Sequence, residues 1–205
     1  MPDAVVHVID DDDAARESLE FLLRSADFVV TTYDSGTAFL RSLPQSAFGC
    51  IITDVRMPDL TGIELLRRLK DLNVKMPVIV VTGHGDVPIA VEAMKLGAAD
   101  FFEKPFDGDK VVAAVHSAFT ESRRDADRET ERKELDDRLA TLTPREHDVL
   151  KGLVAGNPNK IIAYDLGISP RTVEIYRANV MTKMKSGSLS QLVRMALHAG
   201  DLGPP

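Results

Sequence analysis

Short β-branched runs alternate with longer amphipathic stretches through the first 120 residues of the chain. The runs are VVHVI (5–9), FVVTTY (28–33), CIITD (50–54), VIVVT (78–82) and ADFFE (99–103), and helices are expected in the gaps. In the first, third and fourth runs the apolar residues are continuous, the pattern of strands buried on both faces of a parallel sheet. Strand and helix repeating in this way predict an α/β domain, a five-stranded doubly wound parallel sheet, over residues 1–120. From 121 to 139 the stretch ESRRDADRETERKELDDRL holds no Gly or Pro and pairs opposite charges at i, i+4, such as Glu129 with Lys133 and Glu134 with Arg138. Residues 121–140 therefore predict a solvated helical linker. Residues 141–205 read as helical, with breaks at GNPN (156–159), LGIS (166–169) and SGS (186–188). That predicts about four short helices in a small all-α domain, followed by a frayed GDLGPP tail.

Charge changes the picture where hydropathy cannot. The chain of 205 residues carries a formal net charge of -7, which taken whole argues against nucleic-acid binding. Counted by segment, residues 1–120 hold 11 basic and 19 acidic side chains, 121–140 hold 6 and 8, and 141–205 hold 8 and 5. An acidic body thus carries a basic tail of net +3. Cys50 is the only cysteine, in an apolar run that predicts a buried inert thiol, so no internal disulfide forms. No stretch reaches the roughly 20 apolar residues of a membrane helix, and the acidic N-terminus lacks the features of a signal peptide, so a cytoplasmic location is expected.

In a doubly wound sheet, ligands bind beyond the carboxyl ends of the strands. The residues at those ends are Asp10 and Asp11, Asp54, Thr82, and Lys104 with Pro105. Carboxylates this dense call for a cation, and all-oxygen ligands with room for water favour Mg²⁺. Asp11 and Asp54 are the expected direct ligands, with Asp10 acting through water and the backbone carbonyl of Arg56 adding an oxygen. Asp12 and Asp13 are expected instead at the start of the next helix, where the macrodipole favours anions. The same arrangement suits Asp54 as a nucleophile for phosphoryl transfer, with Mg²⁺ and Lys104 flanking the phosphoryl oxygens and Thr82 donating a hydrogen bond. His7 is expected as a packed strand residue, and His84, in a glycine loop, has no neighbouring ligands to make a metal site.

The motifs DVRMPDLTG, VTGHGD and EKPF after the third, fourth and fifth strands resemble the receiver domain of bacterial two-component response regulators. The resemblance implies that a sensor histidine kinase phosphorylates Asp54, with Asp10 and Asp11 as the acidic pair. It also implies a switch in which Thr82 moves towards the phosphoryl group and Phe101 turns inward.

In the tail, Thr143 is placed to cap a helix with Pro144 at N1 and Glu146 completing a capping box. Further on come a short helix, a glycine turn at Gly167 and a second helix opened by Ser169 and Pro170, which is the grammar of a helix-turn-helix. Val173, Val180 and Met184 share the core face. The outward side leaves Thr172, Glu174, Ile175 and Ala178 as base-edge candidates and Lys160, Arg171, Arg177, Lys183 and Lys185 as phosphate candidates. From Leu142 to Leu197 the chain resembles the LuxR-type helix-turn-helix, departing at Tyr176, where that family commonly has His. The resemblance implies that Ser190 to Leu197 pairs two copies on DNA.

Together these readings describe a transcription regulator gated by phosphorylation at Asp54. It would form a homodimer on phosphorylation, bind double-stranded promoter DNA and engage RNA polymerase. The likeness across both domains is to activators of nitrogen-fixation genes that answer an oxygen-sensing kinase. Two other classes share part of the pattern. A Mg²⁺-dependent aspartyl phosphohydrolase is disfavoured because Arg56 stands where such enzymes place their general acid; an adaptor whose helical tail binds protein differs in lacking salt-sensitive DNA affinity.

Overall fold

The structure, a computed structural model, describes residues 4–43, 49–83 and 87–198. His84 and the GDLGPP tail lie outside the described residues. Contacts divide the chain into two compact units, one running to Asp125 and the other starting at Ala126.

The first unit holds a parallel sheet in the order β2-β1-β3-β4-β5. Its strands are β1 (Val5–Ile9), β2 (Val29–Tyr33), β3 (Gly49–Asp54), β4 (Val78–Thr82) and β5 (Asp100–Glu103). Each limit falls within a residue of the hydropathy pattern. Alternate residues of β1, β3 and β4 feed two cores. Val6, Val8, Cys50 and Ile52 meet α1 (Asp13–Ser25) and the start of α5 (Gly108–Ala140) through Leu19, Leu23, Val111 and Val115. Ile9, Ile51 and Val80 meet Phe39, Leu65 and Ala93 of α2 (Gly36–Arg41), α3 (Gly62–Asp71) and α4 (Val87–Leu96). Cys50 is fully buried and its thiol is pushed up to about 12 by that burial, so it is inert. His7 packs against Tyr33 and Phe39, with Nδ1 3.2 Å from the Tyr33 hydroxyl, and burial lowers its pKa.

Because the chain reverses its direction of winding between β1 and β3, the loops at the carboxyl ends of these neighbours part and leave a crevice there. Asp12 caps α1 by accepting from the Ala14 and Ala15 amides at 2.9 and 3.1 Å, and Asp13 opens the helix, as their sequence positions predict. Gly62, at the start of α3, is dictated by close approach: a Cβ there would lie 2.2 Å from the Asp54 carbonyl oxygen.

The second unit contains α6 (Pro144–Val154), α7 (Asn159–Leu166), α8 (Pro170–Lys183) and α9 (Leu189–His198). Thr143 and Glu146 form the expected capping box, and Ser169 caps α8. Gly167 ends α7 with φ 65°, a left-handed conformation that favours glycine.

The linker differs from its sequence reading in two ways. Residues 121–140 continue α5, one helix of 33 residues, because nothing between Gly108 and Pro144 breaks it. It is also not wholly solvated: Leu135 and Leu139, an i, i+4 pair, are buried in the core of the second unit with Val149 and Leu150. Burying each contributes roughly 1.5–3 kcal/mol, which outweighs the few tenths from an exposed pair such as Glu134–Arg138.

Candidate functional site

The carboxyl ends of β1, β3 and β5 bring three charged side chains into direct contact. Lys104 Nζ donates to Asp10 Oδ2 at 2.6 Å and to Asp54 Oδ1 at 2.9 Å. Both carboxylates are buried, at 2% and 7% exposure. The other oxygen of Asp54 accepts from the Arg56 backbone amide at 2.6 Å, and the other oxygen of Asp10 accepts from the Asp12 amide at 3.0 Å. The Arg56 side chain points to solvent, so Arg56 serves the site through its backbone.

Asp11 is exposed beside this cluster, while Thr82 is buried at the end of β4. The Thr82 carbonyl accepts from the Lys104 amide at 2.7 Å, which fixes the base of the lysine. Phe101 is half-buried, pairs in register with Val80 and packs against the α2–α4 core.

Burial pushes the Asp10 carboxyl above its ordinary value and the Asp54 charge adds to this; the bonds from Lys104 and the Asp12 amide oppose it without cancelling it. Burial alone would lower the Lys104 pKa, but its bonds to Asp10 and Asp54 outweigh that and raise it. Asp10, Asp11 and Asp54 set three negative charges against one ammonium, a surplus of two that matches a divalent cation. Among the described residues, no group of three or more His, Cys, Asp or Glu is already gathered as a metal cage, and the Lys104 ammonium bonds to both Asp10 and Asp54. The donors are nonetheless all hard oxygens, the kind Mg²⁺ takes alongside retained water.

Arg16 is a member of the site that the sequence reading missed. Its Nη1 donates to the Asp10 carbonyl at 2.7 Å and its guanidinium also pairs with Asp13, pinning the loop that carries the acidic residues. A cation in the first turn of a helix opposes the macrodipole, and that is the sequence signal by which its second role could have been found.

In the second unit, Val173, Val180 and Met184 are fully buried, as their spacing predicts. Arg171, Glu174, Ile175 and Ala178 are exposed on α8, and Thr172 and Arg177 are half-buried. The Thr172 hydroxyl lies 2.8 Å from that of Ser169, so the cap itself occupies it in part. Tyr176 packs against the core. Lys160, near the start of α7, and Lys185, just beyond α8, are exposed. Lys183 has another arrangement: its ammonium is held within the unit by Glu146 and the Thr141 carbonyl.

The two units match two families: the response regulator receiver domain over residues 6–116 and the bacterial regulatory proteins of the luxR family over 140–196. The chain is 59% identical to the transcriptional regulatory protein FixJ of Azorhizobium caulinodans, covering 98% of this chain and 95% of that one. It is 55% identical to FixJ of Bradyrhizobium diazoefficiens, covering 96% of each. Among solved structures, the response regulator StyR superposes with a TM-score of 0.85 at 37% identity, covering 95% of this chain and 98% of that one. Full-length FixJ from B. japonicum superposes at 0.61 with 54% identity, covering 98% of each. Those matches span the sheet with its acidic crevice as well as the helix-turn-helix, and the chain belongs to the response regulators, in the group that carries a receiver domain followed by a LuxR-family DNA-binding domain.

Proposed function

We propose that this protein activates nitrogen-fixation genes in response to low oxygen, by accepting a phosphoryl group on Asp54 from a sensor histidine kinase. Near-full-length likeness to FixJ supports the pathway. The contact of one lysine with both Asp10 and Asp54 is the observation that carries the chemistry.

An Asp54 carboxylate oxygen forms the new P–O bond as the P–N bond to the donor imidazole breaks, and the electron pair leaves with the imidazole. Asp10, Asp11, Asp54 and the Arg56 carbonyl would hold Mg²⁺, which when bound shields the transferring phosphoryl oxygens and so supports the displacement. Lys104 supplies a second fixed cation from within the chain. Because it is tethered through its amide to the Thr82 carbonyl, its ammonium can turn from the carboxylates to the phosphoryl oxygens without moving its backbone.

Phosphorylation adds about two negative charges at a crevice already short of cations. Thr82 would follow the phosphoryl group and Phe101 the space that Thr82 leaves, altering the surface of α4 and β5. Val87, Val91 and Met94 of α4 are 74%, 45% and 50% exposed, an apolar stripe suited to pairing two copies of the receiver. Dimerisation brings two weakly basic helix-turn-helix units to adjacent half-sites on promoter DNA, where effective concentration makes up for few contacts each. Arg171, Arg177, Lys160 and Lys185 would hold phosphates, and Thr172, Glu174, Ile175 and Ala178 would face base edges. RNA polymerase is the expected partner on the promoter, and the cytoplasm the expected location. Among the described residues no helix is long and apolar enough to cross a membrane.

The test treats the full chain with acetyl phosphate and Mg²⁺. Intact mass should show one added phosphoryl group, oligomer size should double, and DNA affinity should rise and fall steeply with salt. Asp54→Asn should abolish all three gains. Phosphorylated protein that remains monomeric and binds DNA no more tightly would overturn the reading.

A further inference from the structure

Lys183 closes the helix expected to enter DNA, yet its ammonium is directed into its own unit. Nζ donates to Glu146 Oε2 at 2.6 Å and to the Thr141 carbonyl at 3.0 Å. These partners lie on separate segments: Glu146 is at N3 of α6, and Thr141 follows the last turn of α5. The same Glu146 oxygen accepts from the Thr143 amide at 2.8 Å. Glu146 is 4% exposed, whereas the Lys183 side chain keeps 34%.

Helix dipoles favour each charge where it stands. Lys183 lies at the C-terminal end of α8 and beside that of α5, both partly negative, and Glu146 lies in the partly positive first turn of α6. The bonds from Lys183 and the Thr143 amide hold the Glu146 carboxyl below the ordinary carboxylate range. Reaching out to a DNA phosphate would leave that buried carboxylate without its counter-charge, a larger loss than one solvent-exposed ion contact returns.

The geometry points to Lys183 as a positioning residue and not a phosphate contact: it fastens the last turn of α8 to the junction of α5 with α6, so that the end of the linker helix sets the recognition helix. The inference rests on the reading of α8 as the DNA-contacting helix. It concerns how that helix is held, which is separable from whether DNA binds.

The experiment uses the full-length protein, phosphorylated with acetyl phosphate and Mg²⁺, and a duplex that the wild-type protein selects from a random-sequence pool. Lys183→Met and Glu146→Gln should each weaken binding about tenfold, as expected for a lost charge-assisted bond. The slope of log affinity against log salt should stay at the wild-type value, and the double variant should bind no worse than the weaker single one. As a phosphate contact, Lys183→Met would lower that slope by about 0.9 per protomer, about 1.8 for the dimer, while Glu146→Gln left affinity unchanged, and that result overturns the proposal. Lys183→Gln and Glu146→Asp serve in the same way should the first pair unfold. Thermal unfolding of the second unit without DNA gives an independent reading: losses that fail to add sustain the tie, and simple additivity overturns it. If the wild-type chain selects no duplex at all, the DNA-binding reading fails, and the unfolding cycle still decides the role of Lys183.

Discussion

Asp10 and Glu146 are both buried carboxylates, and each accepts from a lysine at 2.6 Å, yet their pKa values move in opposite directions. Asp10 is raised, chiefly by burial, and shares Lys104 with Asp54. Glu146 is lowered, chiefly by Lys183, which has no second carboxylate bonded to it among the described residues. One site is short of positive charge and the other is balanced. A balanced pair can fasten helices together. An overdrawn one costs stability until another cation arrives, which is what a phosphoryl-transfer site requires.

The largest effect that could break this contrast lies in rate. Lys104→Met should slow phosphoryl uptake from acetyl phosphate by about 10²–10³-fold, the range for losing one preorganised charge at a transition state, while Lys183→Met leaves it unchanged. Rapid-quench mass spectrometry measures both, and a fall below tenfold for Lys104→Met would remove the ammonium from the chemistry. Next, Mg²⁺ at about 100 times its Kd should stabilise the receiver unit by about 2.7 kcal/mol, leave the second unit unmoved, and lose its effect in Asp11→Ala. Urea unfolding followed by probes in each unit reports this.

Without metal, Glu146→Gln should destabilise the second unit by about 2 kcal/mol, a buried-pair loss discounted for the partial exposure of Lys183. Asp10→Asn should stabilise the receiver by about 1 kcal/mol, as substitutions relieving functional sites do. Shifts of the same sign would erase the distinction between the two sites.

The smallest effect is in pH. The contribution of Glu146 is present above the ordinary glutamate value of 4.5 and is lost as pH falls through its lowered folded value. Asp10 runs the other way: between the ordinary aspartate value of 3.8 and its raised folded value, each step down in pH relieves the receiver. Carbon-detected NMR titration of the two carboxyls should place Asp10 above and Glu146 below their ordinary values. Finding both on the same side would contradict the electrostatics described here.

Much of this was legible along the chain. Continuous apolar runs mark strands buried on both faces, and their ends place Asp10, Asp54, Thr82 and Lys104 at one edge of the sheet. Capping chemistry is equally local, so Thr143 with Glu146 and Ser169 with Pro170 announced where α6 and α8 begin. What escaped was chiefly what depended on partners distant in sequence. Lys183 read as one more basic residue on a DNA-facing helix because Glu146 lies 37 residues away and no spacing rule connects them. Leu135 and Leu139 were hidden by the charges around them, although their i, i+4 interval is that of a buried stripe.

By itself, then, the sequence determined the elements, their order and the chemical character of each strand end, because hydropathy period, caps and breaks act over a few residues. Tertiary structure decided which charges share a partner: Lys104 between two carboxylates, Lys183 with one carboxylate and a helix-end carbonyl. The physical reason is that the strength of a charge–charge contact depends on separation and burial in the folded chain. A string of residues carries the charges but contains neither quantity.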